Sequence, residues 1–161
     1  MTSYMKTSLT RFFLIISVIS LMTACHMESS ENGHLDGFWH LVRVDTLSID
    51  TLSIDTLSIV GTSDLSQDYF FWAFQFQLLS VRNTQKSPEE YFLRFQRQGD
   101  ELVLSHPFQY VLQGKDAPVE NIDLLRPFGI NDQEERFRIV HLSSRRMTLQ
   151  NHFLVLTMQK L

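Results

Sequence analysis

Six histidines and a single cysteine are the side chains of this 161-residue sequence best suited to bind a metal or act as a nucleophile. The histidines, His26, His34, His40, His106, His141 and His152, make no H-x-x-x-H spacing and no metal-type pairing with the cysteine, so no metal is expected. His40, His141 and His152 fall in or beside extended segments, where an imidazole on the rim or surface is the ordinary case. Carboxylates are paired at Glu89–Glu90 and Glu134–Glu135. Each pair precedes or enters a strand, where neighbours point to opposite faces, so neither pair can share one substrate proton. There is no G-x-S-x-G elbow and no glycine-rich phosphate loop. No catalytic residue, no cofactor and no enzymatic activity are expected.

The cysteine has a different chemistry. Lys6 and Arg11 precede the apolar run Phe12–Met22, and the small residues Thr23 and Ala24 lead to Cys25. This is the order of a secretory leader, and the run is shorter than the roughly 20 residues a permanent span needs. "LMTAC" resembles the bacterial lipobox, in which a signal peptidase cuts before a cysteine carrying diacylglycerol. The resemblance implies a signal peptide over 1–24 and lipidation at Cys25, with the membrane as partner through that anchor. One acyl chain holds a protein only marginally, whereas two or three hold it essentially permanently. No thiol is left for a disulfide, so stability must come from a packed core.

Loss of the leader removes two of the 14 basic residues and none of the 18 acidic ones, leaving 12 against 18 and a net charge of −6. No basic cluster tracks a phosphate backbone, and no nucleic-acid partner is expected. Residues 25–34 form the lipidated cysteine and a polar, flexible tether.

What would position any site is a series of strands, because from residue 35 onward the apolar period is two. Gly37–Asp45 opens the series. Phe70–Arg82 reads as one half-buried strand with Trp72, Phe74, Phe76 and Leu78 on one face. Tyr91, Leu93 and Phe95 point inward in the next, and Gly99–Asp100 marks a hairpin turn. Phe137 with Ile139, Met147 with Leu149, and Leu154, Leu156 and Met158 supply the inward faces of three closing strands. Between them, Ser105–Asp132 holds three of the four prolines and reads as a long connection with one short helix, capped by Asn121 and ended by Pro127. Seven or eight antiparallel strands in about 125 residues suggest an all-β, up-and-down meander in a closed or nearly closed barrel, since closure removes exposed edges.

"GFW" at Gly37–Trp39 matches the G-x-W that opens the first strand of lipocalins. With the lipobox and the closing hairpin, residues 35–161 resemble the small lipocalin-like domains of Gram-negative lipoproteins. The resemblance implies an outer-membrane lipoprotein of the cell envelope, with the periplasmic or surface face left open. Gly37 and Trp39 would form the barrel base, where an arginine stacks on the indole; Arg138, Arg145 and Arg146 are the candidates. Trp72, Phe74, Phe76, Leu93 and Phe95 would be core or pocket lining.

Residues 45–59 repeat DTLSI three times. Five is odd, so Leu47 and Ile49 would face opposite to Leu52 and Ile54 on a regular strand, and a helix would scatter them around its axis. The repeat falls in the first loop, at the open end of the barrel. A duplicated loop word adds only about 1 kcal/mol of closure entropy. The alternative is that it extends a strand pair above the barrel or lids its mouth. The first reading of function is binding of a small apolar ligand inside the barrel; the alternative is a filled barrel that presents loops to an envelope protein partner. A contiguous internal void favours the first, and a packed interior with an exposed apolar rim favours the second.

Overall fold

Alternating apolar and polar residues cannot bury one face of a strand without a partner, and the chain solves this with one antiparallel sheet closed on itself. The computed structural model describes residues 30–49, 57–85, 89–111 and 114–161. The strands are β1 (Gly37–Ile49), β2 (Leu57–Asp64), β3 (Phe70–Gln75), β4 (Leu78–Asn83), β5 (Glu89–Gln98), β6 (Glu101–Gln109), β7 (Ala117–Pro118), β8 (Glu134–Leu142), β9 (Arg146–Gln150) and β10 (Leu154–Lys160). Eight of them form the ring β1-β3-β4-β5-β6-β8-β9-β10, and β10 returns to pair with β1 from Trp39–Lys160 to Thr46–Leu154. The all-β, up-and-down barrel expected from the sequence is therefore closed. β2 and β7 are additions to it, β2 on β1 and β7 on β6.

Eight strands give an interior just wide enough for side chains to fill. Here Trp39, Trp72, Phe74, Leu79, Leu93, Phe95, Phe137 and Leu149 meet in one cluster of buried residues. Strand direction defines two ends. At the base lie the start of β1, the β3–β4 and β5–β6 hairpins and the end of β10. At the top lie the end of β1, the β4–β5 loop, the β6–β8 connection and the β9–β10 turn.

Three sequence expectations change. Phe70–Arg82 is not one strand: β3 and β4 are joined at Gln75–Leu78 by the two-residue loop Phe76–Gln77, with Phe76 at φ 55. Tight hairpins normally announce themselves with Asn or Gly at such a position. Neither is present, so the alternation ran through the turn. The inward face then passes from Trp72 and Phe74 to Leu79 and Val81, while Phe76 is 54% exposed. The single helix expected in Ser105–Asp132 is instead two 3-10 turns, Ile122–Leu124 and Arg126–Phe128. Asn121 caps the first by accepting from the Asp123 N–H, as its type suggests, but Pro127 sits inside the second.

The third concerns the repeat. Its first copy, Asp45–Ile49, belongs to β1 and the end of its third, Leu57–Ile59, belongs to β2, so what was assigned to a loop is strand at both ends. Leu47, Ser48 and Ile49 pair with Ile59, Ser58 and Leu57, and Val60 is the extra residue of a bulge between those pairs and Thr46–Gly61. This two-stranded ribbon continues β1 past its last pair with β10. The middle copy lies outside the described residues.

Candidate functional site

Trp72, Phe74, Leu93 and Phe95 are all 2% exposed or less. Phe74 and Phe95 meet edge to face at 5.1 Å, and Trp72 contacts Phe74 at 5.9 Å and Phe137 at 6.2 Å between ring centroids. Edge and tilted contacts of this kind are the favoured arrangements of buried rings. Three grooves on the described chain are lined by other residues. These four side chains are core, and Phe76 lies outside the core altogether.

The base is closed from within. Trp39 is fully buried and its indole Nε1 donates to the Leu35 carbonyl at 2.8 Å, which holds the 3-10 turn Gly33–Leu35 across the barrel end with Leu35 buried beneath it. Gly37 has φ 116, a backbone conformation that favours glycine, and a Cβ there would stand 2.6 Å from Lys160 Cε and displace the end of that side chain. The cation over the indole is that same Lys160, its Nζ 5.0 Å from the Trp39 ring. Arg138, Arg145 and Arg146 are thus not the stacking partner. The lysine is placed there by the Trp39–Lys160 register of β1 and β10, a long-range pairing that sequence spacing does not reveal.

The top is closed by the β6–β8 connection. His106, at φ 52, and Pro107 form a bulge between the Arg94–Ser105 and Phe92–Phe108 pairs, which frees the upper part of β6 from β8 and hands it to β7. From there the chain turns inward and buries Leu125, Phe128 and Ile130 completely or nearly so. Phe128 meets Phe70 at 5.5 Å and Tyr91 at 6.3 Å, and its carbonyl accepts from Trp72 Nε1 at 3.2 Å. Gly129, at φ 83, packs where a Cβ would lie 2.7 Å from Leu156. Glu135, buried at the start of β8, accepts from the Asn131 N–H and from Asn151 Nδ2, tying this connection to the β9–β10 turn. The sequence showed Pro127 only as the end of a short helix, and nothing there said that Phe128 and Gly129 enter the barrel.

Eight of the eleven exposed large apolar side chains among the described residues are at the top: Leu57, Ile59, Val60, Tyr69, Tyr110, Val111, Leu124 and Phe153. Phe153 is 66% exposed, and its carbonyl accepts from the Leu47 N–H at 2.7 Å, which seats the ribbon against the β9–β10 turn. The N-terminal segment enters at the other end. Asn32 Nδ2 donates to the Phe76 carbonyl at 2.6 Å, and Arg97 donates to the Asn32 carbonyl at 3.3 Å, so Asn32 is held beside the β3–β4 and β5–β6 hairpins at the base. Cys25 itself lies outside the described residues. No group of three or more His, Cys, Asp or Glu able to hold a metal occurs among those described.

The chain forms a closed eight-strand barrel with a 3-10 turn across its base, and the comparison with family models decides its family: the model described as a lipocalin-like domain matches residues 20–161. The chain belongs to the lipocalin-like domain family. This lipocalin-like chain is similar in fold to the crystal structure of a lipocalin-like protein from Bacteroides uniformis ATCC 8492, with 20% identity and a TM-score of 0.52 over 80% of this chain and all of that one. An uncharacterized protein from Bacteroides eggerthii DSM 20697 also aligns, at 15% identity and a TM-score of 0.49 over 78% of this chain and 98% of its own. None of the curated proteins compared with this lipocalin-like chain matches it.

Proposed function

We propose that this lipocalin-like protein is a lipid-anchored component of the cell envelope, held at the outer membrane through Cys25, and that its barrel is a filled, non-enzymatic post presenting its upper rim to an envelope protein partner. The observation that carries this reading is the opposition of the two ends. The tether leaves from the base, beside Phe76 and Arg97, while the exposed apolar side chains gather at the top, around the ribbon and Phe153. Scattered apolar residues on a surface need no explanation, but a concentration at one end marks an interaction surface. The arrangement holds that rim away from the membrane.

The other expectation, a small apolar ligand inside the barrel, would require Leu125, Phe128 and Ile130 to leave the space they fill. A filled interior favours the rim. A photo-crosslinking residue placed at Phe153 should give one discrete protein adduct in intact cells, and the same residue at the base position Leu161 should give none. Absence of the Phe153 adduct, or an equal adduct from both ends, would contradict the proposal.

A further inference from the structure

The outer wall of the barrel carries a groove of about 1030 Å³ across β1, β3, β4 and β5, below and apart from the rim. Its floor is made by the two smallest side chains of the row, Ala73 and Ser80, which face each other in the β3–β4 register. Phe38 pairs with Ala73 on one side and Phe92 pairs with Ser80 on the other, so two rings stand as walls over a low floor. Each wall is braced by a second ring: Phe38 stacks on Phe71 at 5.0 Å and Phe92 on Phe108 at 5.6 Å.

Two arginines flank this slot. Arg82 lies one step along β4 from Ser80, and Arg94 one step along β5 from Phe92. On a strand that is about 7 Å, within reach of an arginine side chain. The Arg82 guanidinium already leans into the slot, 4.6 Å above the Phe38 ring, and its buried Nε has no hydrogen-bond partner. Neither Arg82 nor Arg94 makes an ion pair among the described residues. Glu90, opposite Arg82 in the β4–β5 register, is instead occupied by the Ser80 hydroxyl.

The opposite flank shows what a satisfied arginine looks like in this protein. There Arg136 is held by Glu134 at 2.6 Å and by Glu101 at 3.4 Å. A buried donor left unpaired is costly unless something completes it, and a guanidinium fork stacked on a ring is shaped for an oxyanion. In a chain with an excess of acids, two uncommitted arginines beside an aromatic slot are a specific feature rather than background charge.

We propose that this groove binds a small planar amphiphile with an oxyanion head, a carboxylate or a phosphate. The ring lies between Phe38 and Phe92 over Ala73 and Ser80, and the head takes the guanidinium of Arg82 with Arg94 closing the other side. Calorimetric titration of the purified full chain with 2-naphthoate and 2-naphthyl phosphate tests it, with uncharged 2-naphthol as the control.

Saturable one-to-one binding of the charged probes is expected, and none of 2-naphthol at the same concentrations. Loss of a charge-assisted bond in Arg82→Gln should weaken binding about tenfold or more. Ala73→Leu, which raises the floor, should do the same, while Lys115→Gln, in an exposed segment away from the slot, should not. The near-ultraviolet signal of Trp39 and Trp72 reports whether each variant is folded, and Arg82→Lys serves if Arg82→Gln is not. Undiminished binding in folded Arg82 and Ala73 variants, equal binding of 2-naphthol, or no saturation would overturn the proposal. So would Arg82-dependent flotation with phosphatidylglycerol vesicles in the absence of soluble-probe binding, which would make the groove a lipid headgroup site instead.

Discussion

The indole of Trp72 donates from within β3 to the carbonyl of Phe128, 56 positions later in the chain, and so fastens the β6–β8 connection inside the top of the barrel. Removing that donor while keeping a ring, Trp72→Phe, leaves a buried carbonyl short of its partner. The expected cost is about 1–3 kcal/mol from the unpaired group, with some packing loss from the smaller ring. Urea denaturation should show a lowered midpoint. An unchanged midpoint would mean that the connection is held by apolar contact alone.

Phe74 and Phe76 are two residues apart and should behave oppositely. Phe74→Ala opens a hole in the core and should cost about 3–5 kcal/mol. Phe76 sits at positive φ, which costs an ordinary L-residue roughly 1–2 kcal/mol, so Phe76→Gly should raise stability by up to about 1 kcal/mol once the added chain entropy of glycine is deducted. The pair of unfolding curves checks it, and a destabilised Phe76→Gly would contradict the exposed turn.

Deleting residues 50–59 removes two repeat words and leaves Thr46 facing Gly61 across a four-residue loop. Because all of β2 is exposed, the thermal midpoint should stay within a few degrees, the shift that about 1 kcal/mol produces in a domain of this size. Calorimetry of the shortened chain gives the answer directly. A drop of ten degrees or more would show that the ribbon supports the barrel.

Asp64 closes β2, and its carboxyl is held below the ordinary carboxylate range, chiefly because it accepts from the Ser66 backbone N–H. A carboxyl lowered in the folded state contributes above its unfolded pKa, and the contribution is lost as pH falls through the folded value. The acid limb of the stability profile should therefore be shallower in Asp64→Asn, with no difference between the two proteins at neutral pH beyond a constant offset. Parallel acid limbs would remove Asp64 from the account of acid sensitivity.

Cys25→Ser should move the protein from the membrane fraction to the soluble fraction, since the acyl chains on Cys25 are the proposed attachment. Unchanged retention would refute the anchor while leaving the barrel and its rim untouched.

Period-two alternation made most of the ring legible in the sequence. Tyr91, Leu93 and Phe95, Phe137 and Ile139, Met147 and Leu149, and Leu156 and Met158 all point inward, because on a strand with one buried face the alternation is itself the burial pattern. Gly99–Asp100 was legible for a local reason, a turn that needs positive φ supplied by a glycine. The β3–β4 turn was not, since Phe76 carries no turn chemistry. Long-range consequences were also hidden. Lys160 over Trp39 depends on barrel closure, Phe128 in the barrel depends on the His106 bulge, and the groove depends on Ala73 and Ser80 becoming neighbours only after Phe76 reverses the chain.

The filled interior and the working rim are tested together by native mass spectrometry of the protein extracted from membranes, compared with a variant carrying Phe153→Asp and Ile59→Asp. A post with a packed core should come off bound to a protein partner that disappears in the rim variant, and without a retained apolar small molecule. An apolar small-molecule adduct that survives equally in both forms and is also retained when Arg82→Gln is added, with no partner in either, would place the binding inside the barrel and contradict this view of the protein.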